Sequence, residues 1–422
     1  MLVEFSVRNY LSFRDRVTFS MVASPDTSLL ENTFEVGDGH KLRLLKTASV
    51  YGANASGKSN LLKAIEKMAW LVRFSAPVGQ RGDPTGIVPF LLDPATEAEP
   101  SEFEVVFIAA AQRYVYGFVA DKERVHEEWL TATHAGRKTR TLFERHQGDV
   151  KFGASWAGGR LARAELQETT RDNALLLSRA AQLNAPAAMP AFDWFWRRFA
   201  FIEAARRVGT AISKGMVDPA SPLRGQVIEL LQLADLRIDG IETREASTPS
   251  QAPAPPGGVP GEAWEALQPF LELERQHIGL QHRRSDGATV TFDLEDESQG
   301  TQRLFALSGP WLVTLHGALV LLIDEFESKL HPLIARHLVR LAHRSATNAQ
   351  VIFTTHDCGL LDSGLFRRDQ VWFTERDPAG ATDLYSLWDY KPRRDENLRN
   401  GYLHGRYGAI PFVGDLSIGE ES

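Results

Sequence analysis

Cysteine is almost missing: Cys358 is the single one in 422 residues. One thiol cannot build an internal disulfide framework, which excludes the stapled secreted classes and fits a reducing compartment. Long apolar runs are missing as well. The longest, Ala318 to Ile323, falls far short of the roughly 20 residues that cross a bilayer. The opening Met1-Leu2-Val3-Glu4-Phe5 carries no basic stretch ahead of an apolar one, so no secretory signal is expected. These absences point to a cytoplasmic protein without membrane contact. Positive charge is not in excess either. A formal net charge of -7 leaves a local patch as the only electrostatic route to nucleic acid. What the chain does have is 43% hydrophobic residues, enough for a large core spread over two or three domains.

Val3, Phe5 and Val7 alternate with Glu4, Ser6 and Arg8, and Val17, Phe19 and Met21 repeat the period of two, which predicts a pair of strands. Leu42 to Tyr51 is a further β-prone run leading into glycine, after which Leu61, Leu62, Ile65, Met68, Ala69 and Val72 recur at helical spacing. Phe103–Ala109, Arg113–Ala120 and Val125–Thr131 read as an antiparallel sheet. From about Leu161 to Leu236 strand character fades, and Phe192, Trp194, Phe195, Trp196 and Phe199 sit in a helical pattern. Ala246 to Gly261 crowds Ser, Pro, Ala and Gly into a linker that cannot build a core. Beyond it, Gln276–Arg284, Ala288–Leu294, Ala318–Ile323 and Gln350–Thr354 read as strands, and Gln302–Leu315 and Pro332–Ser345 as helices.

Gly52-Ala53-Asn54-Ala55-Ser56-Gly57-Lys58-Ser59 fits G-x-x-x-x-G-K-S without a mismatch, after a buried strand and before an amphipathic helix. Small residues let the backbone wrap a phosphate with its N–H groups pointing inward, and the helix N-terminus favours the anion. Lys58 is expected on the β- and γ-phosphates of ATP and Ser59 on Mg²⁺, with Asn60 continuing the site. Leu319 to Ile323 is an apolar run ending in Asp324 and Glu325. On that strand end Asp324 suits Mg²⁺ and Glu325 suits polarising the attacking water.

Glu297-Ser298-Gln299-Gly300-Thr301 resembles the signature motif of cassette ATPases. In that family Ser298 and Gly300 would meet the γ-phosphate held by the opposite subunit. Taken alone, Ser298 is a helix N-cap. His356, ending the strand Val351–Thr355, resembles the switch histidine of the same family and can donate to a phosphoryl oxygen at neutral pH.

With its opening Leu2 to Phe13, its Ile323-Asp324-Glu325-Phe326-Glu327 and its Thr354-Thr355-His356-Asp357, the chain resembles RloA-like AAA-family ATPases of phage-defence loci, whose heads are RecF-like and SMC-like. AriA-like and PtuA-like ATPases and the overcoming-lysogenisation-defect nucleases are relatives of that group. The late stretch Gly401 to Phe412 is similar to a tail often found there. The patterns above predict an α/β fold with an antiparallel β-subdomain and a helical insertion, and the resemblance, which covers both ends of the chain well and the insertion poorly, implies that its core is an ABC-type P-loop head with a mixed, largely parallel sheet. The implied division is an ATPase lobe over 1–155, the helical insertion over 156–262, a second ATPase lobe over 263–390 and a tail over 391–422. It further implies a homodimer or an oligomer of dimers, a phage-derived trigger and an effector encoded by a neighbouring gene. After His356 no two aspartates stand two residues apart, as a Toprim metal site needs, so any nuclease is expected on a separate chain. Two other readings stay open. One is a DNA-repair clamp using Arg197, Arg198, Arg206 and Arg207 on phosphates; the other is an ATP-sensing scaffold with slow turnover.

Overall fold

The computed structural model describes all residues except 38, 40, 41, 203–207, 235, 236, 245–272, 274, 275, 362, 363, 394, 395 and 412–422. The expected linker 246–261, Arg206, Arg207 and Phe412 therefore lie outside the described residues.

Two large sheets organise the chain. The core sheet orders its strands Phe199–Ile202, Val320–Ile323, Gln350–Thr354, Thr47–Tyr51, Val371–Arg376 and Thr382–Ser386. The first five run parallel and the last is antiparallel. Strands buried on both faces read as continuous apolar runs, and their alternation divides them here. Val50, Val320, Leu322, Ile352 and Trp372 join one hydrophobic cluster, while Tyr51, Leu321, Ile323, Val351, Phe353 and Phe373 join another on the opposite face. The second sheet is antiparallel, in the order Asp149–Phe152, Arg140–His146, Val125–His134, Gln112–Ala120, Ser101–Ala109, Leu2–Arg8, Val17–Ser20. Helix Lys58–Phe74 lies between the sheets. Its Leu61, Leu62, Ile65, Met68 and Val72 share one core with Phe5 and Phe107 of the antiparallel sheet and with Leu322 and Ile352 of the core sheet. No helix among the described residues is long and apolar enough to cross a membrane.

The expected run Leu42–Tyr51 is two strands, Arg43–Leu45 and Thr47–Tyr51. They part at Lys46, whose ammonium donates to the carbonyls of His343 and Ser345 at 2.6 and 2.9 Å. The helical reading of residues 161–236 is corrected at Phe199–Ile202, which is the edge strand of the core sheet, paired Phe199 to Val320 through Ile202 to Ile323. Four apolar residues directly after an aromatic-rich helix carry no period of their own. The antiparallel sheet also gains the hairpin Arg140–His146 and Asp149–Phe152, closed by Gln147 and Gly148 at positive φ. Its alternation is hidden because Arg145 is buried, 3.7 Å from Glu128 and donating to the Ala174 carbonyl.

Helix Gln299–Gly317 runs through Pro310. Proline removes the N–H that would reach the carbonyl four residues back. That carbonyl, on Ala306, instead accepts from Ser213 Oγ at 3.3 Å, and the same hydroxyl accepts from Gly309 N–H at 2.9 Å. Gly309 is required there: a Cβ would lie 2.5 Å from the Ser213 backbone nitrogen.

Under the phosphate-loop strand, His343 of helix Pro332–Arg344 is buried, with Nε2 2.8 Å from Thr47 Oγ1 and 3.3 Å from Gln370 Nε2. Burial, with the Lys46 ammonium nearby, lowers its pKa to about 3. The fold therefore holds the imidazole neutral, whereas the unfolded chain protonates it below about 6.5. This contribution is fully present above that pH and is lost as pH falls, by about 1.4 kcal/mol per pH unit and about 5 kcal/mol in total by the folded pKa. The urea midpoint is expected to drop between pH 7.5 and 5.5 in the wild type and to drop less in His343→Gln. Equal drops in the two proteins would remove His343 as the cause.

Candidate nucleotide site

The loop Gly52–Ser59 leaves the carboxyl end of the central strand Thr47–Tyr51 and opens helix Lys58–Phe74. Gly52 at φ 153, Ala55 at φ 61 and Gly57 at φ 108 fold it back on itself. Glycine is needed at both ends of the loop. A Cβ on Gly52 would stand 2.5 Å from the Thr374 carbonyl, and one on Gly57 would stand 2.3 Å from Thr382 Oγ1. Gly57 caps the helix without a side-chain hydrogen bond, and no acidic residue occupies the first turn. The first-turn N–H groups, with the helix dipole behind them, form an anion site.

The loop is fixed from below by hydroxyls. Ser56 Oγ lies 2.6 Å from Thr374 Oγ1, and Thr382 Oγ1 sits 2.9 Å from the Ser56 carbonyl and 2.8 Å from Ser12 Oγ. Asn60 Nδ2 donates to the same Ser12 Oγ at 2.8 Å. Asn54 and Ala55 form the exposed crest. Lys58 Nζ donates to the carbonyls of Gly52 and Ala53 at 2.8 and 3.0 Å. Burial lowers its pKa to about 8, against the opposing pull of Asp324, Glu327 and Glu325.

The core sheet brings the acids in from one side. Strand Gln350–Thr354 separates Val320–Ile323 from the loop strand, so Asp324 reaches the loop across a neighbour. Its Oδ1 accepts from Ser59 Oγ at 2.9 Å and from Thr354 Oγ1 at 2.6 Å. Thr354 Oγ1 in turn accepts from the Glu325 N–H at 2.8 Å. Glu325 stands at φ 49 and is exposed, and its carboxylate hydrogen-bonds to no described residue. Mg²⁺ takes hard oxygen donors, usually one or two from protein beside phosphate oxygens and water. Ser59 Oγ and Asp324 Oδ1, side by side at the loop, fit that requirement.

His356 follows the strand between them. Its backbone N–H donates to Glu327 Oε1 at 2.5 Å. Burial, and then the Lys58 charge, lower its pKa, so the imidazole is neutral at pH 7 and offers one N–H donor. The phosphate loop, Asp324, Glu325 and His356 thus form one cluster.

Ser298 and Gly300 stand apart, tied to the turn after Glu325. Ser298 is the N-cap of helix Gln299–Gly317, its Oγ accepting from the Thr301 N–H at 3.1 Å. A Cβ on Gly300 would lie 3.1 Å from the Lys329 carbonyl. One turn further along, Arg303 reaches the Glu325 carbonyl at 3.4 Å. Sequence reasoning gave no role to Ser12, Thr354, Thr374, Thr382 or Glu327, although Ser12, Thr354 and Glu327 lie in the stretches that carry the resemblance. Threonine in a β run carries no signal apart from strand propensity, and their roles come from register.

Comparison with known proteins gives a family and distant structural likenesses. The SMC head domain from Thermotoga maritima aligns at 12% identity over 91% of this chain and 98% of that one, with a TM-score of 0.39. An SmcHead bound to the C-winged helix domain of ScpA aligns at 12% identity over 91% and 97%, with a TM-score of 0.44. An Smc head domain with an extended coiled coil, bound to the C-terminal domain of ScpA derived from Pyrococcus furiosus, aligns at 14% identity over 92% and 97%, with a TM-score of 0.38. No curated protein matches. The family described as "AAA domain, putative AbiEii toxin, Type IV TA system" matches residues 48–362, a span from the phosphate-loop strand past His356 that takes in well over half of the chain, and the chain belongs to that AAA family.

Proposed function

We propose that this chain binds and hydrolyses MgATP, and that it works as the sensor ATPase of an anti-phage defence system controlling a separate effector. The observation that carries the ATPase reading is the relay from Ser59 Oγ through Asp324 Oδ1 and Thr354 Oγ1 to the Glu325 N–H. It gathers two cation donors and a free carboxylate at the mouth of an anion-binding loop. Ser59 and Asp324 would hold Mg²⁺, which when bound neutralises charge on the β- and γ-phosphates. Lys58 exchanges its bonds to the Gly52 and Ala53 carbonyls for phosphate oxygens. Glu325, unpaired and exposed, takes a proton from the attacking water, while Thr354 holds its backbone. His356 donates its one N–H to a γ-phosphate oxygen.

Ser298 and Gly300 we assign to the nucleotide of a second copy, which makes the working unit a homodimer or an oligomer of dimers. The turn linking Gly300 to Lys329 and Arg303 to Glu325 supports this, because a contact made at the signature would be felt at Glu325. The defence role rests on the family's toxin–antitoxin description and on the RloA-like opening and tail. A DNA clamp is less well supported: of its four arginines, Arg206 and Arg207 lie outside the described residues, while Arg197 forms an exposed pair with Asp193 and Arg198 donates to the Gly317 carbonyl.

Purifying the chain together with the product of the adjacent gene, with and without ATP, tests the effector role. A complex whose yield changes with nucleotide is expected. Recovery of the chain alone in both conditions, with DNA retained at low salt and released steeply as salt rises, would replace the effector reading with the clamp.

A further inference from the structure

The stretch Gly401 to Phe412 has no part in the chemistry above, yet its Tyr402 lies against the strand that leads into the phosphate loop. Helix Leu398–Leu403 packs on the short turn Cys358–Leu361 that follows His356. Tyr402 is buried. Its ring stacks on Phe373 at 5.5 Å and 17°, and meets Tyr51 edge-on at 5.7 Å and 63°. Tyr51 is fully buried and immediately precedes Gly52, and its hydroxyl donates to the Asp357 carbonyl at 3.3 Å. One ring from the tail thus touches the residue that holds both the first residue of the phosphate loop and the turn carrying His356.

The rest of the tail is built to hold that ring still. Tyr402 OH donates to the Ala409 carbonyl at 3.1 Å, closing the segment into a loop. Tyr407 stacks on Phe373 at 6.0 Å and 23°, its hydroxyl donates to Glu396 at 2.5 Å, and its carbonyl accepts from Tyr385 OH at 2.9 Å. Glycine is required inside the loop. A Cβ on Gly401 would sit 2.6 Å from Tyr407 OH, and Gly408, at φ +65, has Glu375 Oε2 at 2.5 Å from the same position.

We propose that the segment Leu398–Ala409 is a brace that sets the phosphate loop and the His356 turn in register, with Tyr402 as a positioning residue acting through Tyr51. Its bearing on turnover rests on the ATPase reading, but its effect on the backbone does not. In the nucleotide-free protein, Tyr402→Ala is expected to speed amide exchange roughly tenfold in residues 50–57 and 354–358, while the antiparallel sheet exchanges as before. Tyr402→Phe, which keeps the ring and loses only the hydroxyl that faces the Ala409 carbonyl and the Gly52 N–H, is expected to bring exchange back to within roughly threefold of wild type. With MgATP, Tyr402→Ala is expected to raise KM and lower kcat together, whereas a loss of folded fraction alone would lower kcat and leave KM unchanged.

Unchanged exchange in Tyr402→Ala overturns the brace, and so does a phenylalanine variant as loose as the alanine one. Failure of the wild type to bind MgATP overturns the ATPase reading and leaves the exchange result standing. If Tyr402→Ala does not fold, Tyr51→Phe replaces it. That variant keeps both rings and removes only the bond to Asp357, and it is expected to speed exchange at 355–358; protection equal to wild type there overturns the proposal.

Discussion

Lys58→Ala is expected to weaken MgATP binding by about two to three orders of magnitude while leaving the fold intact. The ammonium is the only side-chain cation that the loop itself supplies, and it projects from the first turn of a helix whose N–H groups remain. Hydrogen bonds to charged groups contribute about 1.5–3 kcal/mol each. Two of them to β- and γ-phosphate oxygens come to about 3–6 kcal/mol; giving up the bonds to the neutral Gly52 and Ala53 carbonyls offsets part of that, and the two to three orders of magnitude expected, at about 1.4 kcal/mol per tenfold, lie within what remains. The fold survives because Lys58 contributes no ion pair to the core, and its removal relieves a desolvated charge whose pKa already stands at about 8. Titration calorimetry with MgATP at matched thermal stability measures this. Affinity within threefold of wild type would mean that the loop is a glycine turn before a helix and that the triphosphate goes elsewhere.

How much of this site could be read from the sequence depended on how local the physics is. The phosphate loop was legible because wrapping a phosphate needs contiguous residues of fixed size. The strand ending at Ile323 was legible because burial on both faces leaves an unbroken apolar run. The helix start at Ser298 was legible as an N-cap, and it is one. Phe199–Ile202 was not legible, since its strand identity comes from Val320–Ile323 lying beside it and not from any pattern of its own. The hairpin at Arg140–Phe152 was hidden by Arg145, whose burial is made possible by Glu128, seventeen positions earlier. Ser12, Thr354, Thr374 and Thr382 could not be found by motif, because each acts through a hydroxyl brought in by register from a distant strand or turn. The contact of the tail was not legible either, because only the fold sets Tyr402 against Tyr51.

Glu325→Gln is expected to lower the turnover of MgATP by about 10²–10⁴, the range attributed to a positioned general base, while MgATP affinity stays within threefold of wild type. The argument turns on what the amide keeps. Glutamine has the same length and fills the same exposed position at φ 49, so the backbone N–H bond to Thr354 Oγ1 and the Ser59–Asp324 contact are unaffected. What it loses is the ability to accept a proton. A variant that binds but does not hydrolyse holds its nucleotide, and if Ser298 and Gly300 close on the nucleotide of a second copy, that state is a dimer. Light scattering is therefore expected to show ATP-dependent dimers of Glu325→Gln that persist where wild type returns to monomer. Adding Ser298→Arg, which puts bulk at the helix start, is expected to abolish those dimers with no loss of nucleotide binding by the single chain. Equal turnover in wild type and Glu325→Gln would exclude Glu325 as the base, and persistent dimers in the double variant would exclude Ser298 from the closing surface, so the two roles are separately testable on one pair of proteins.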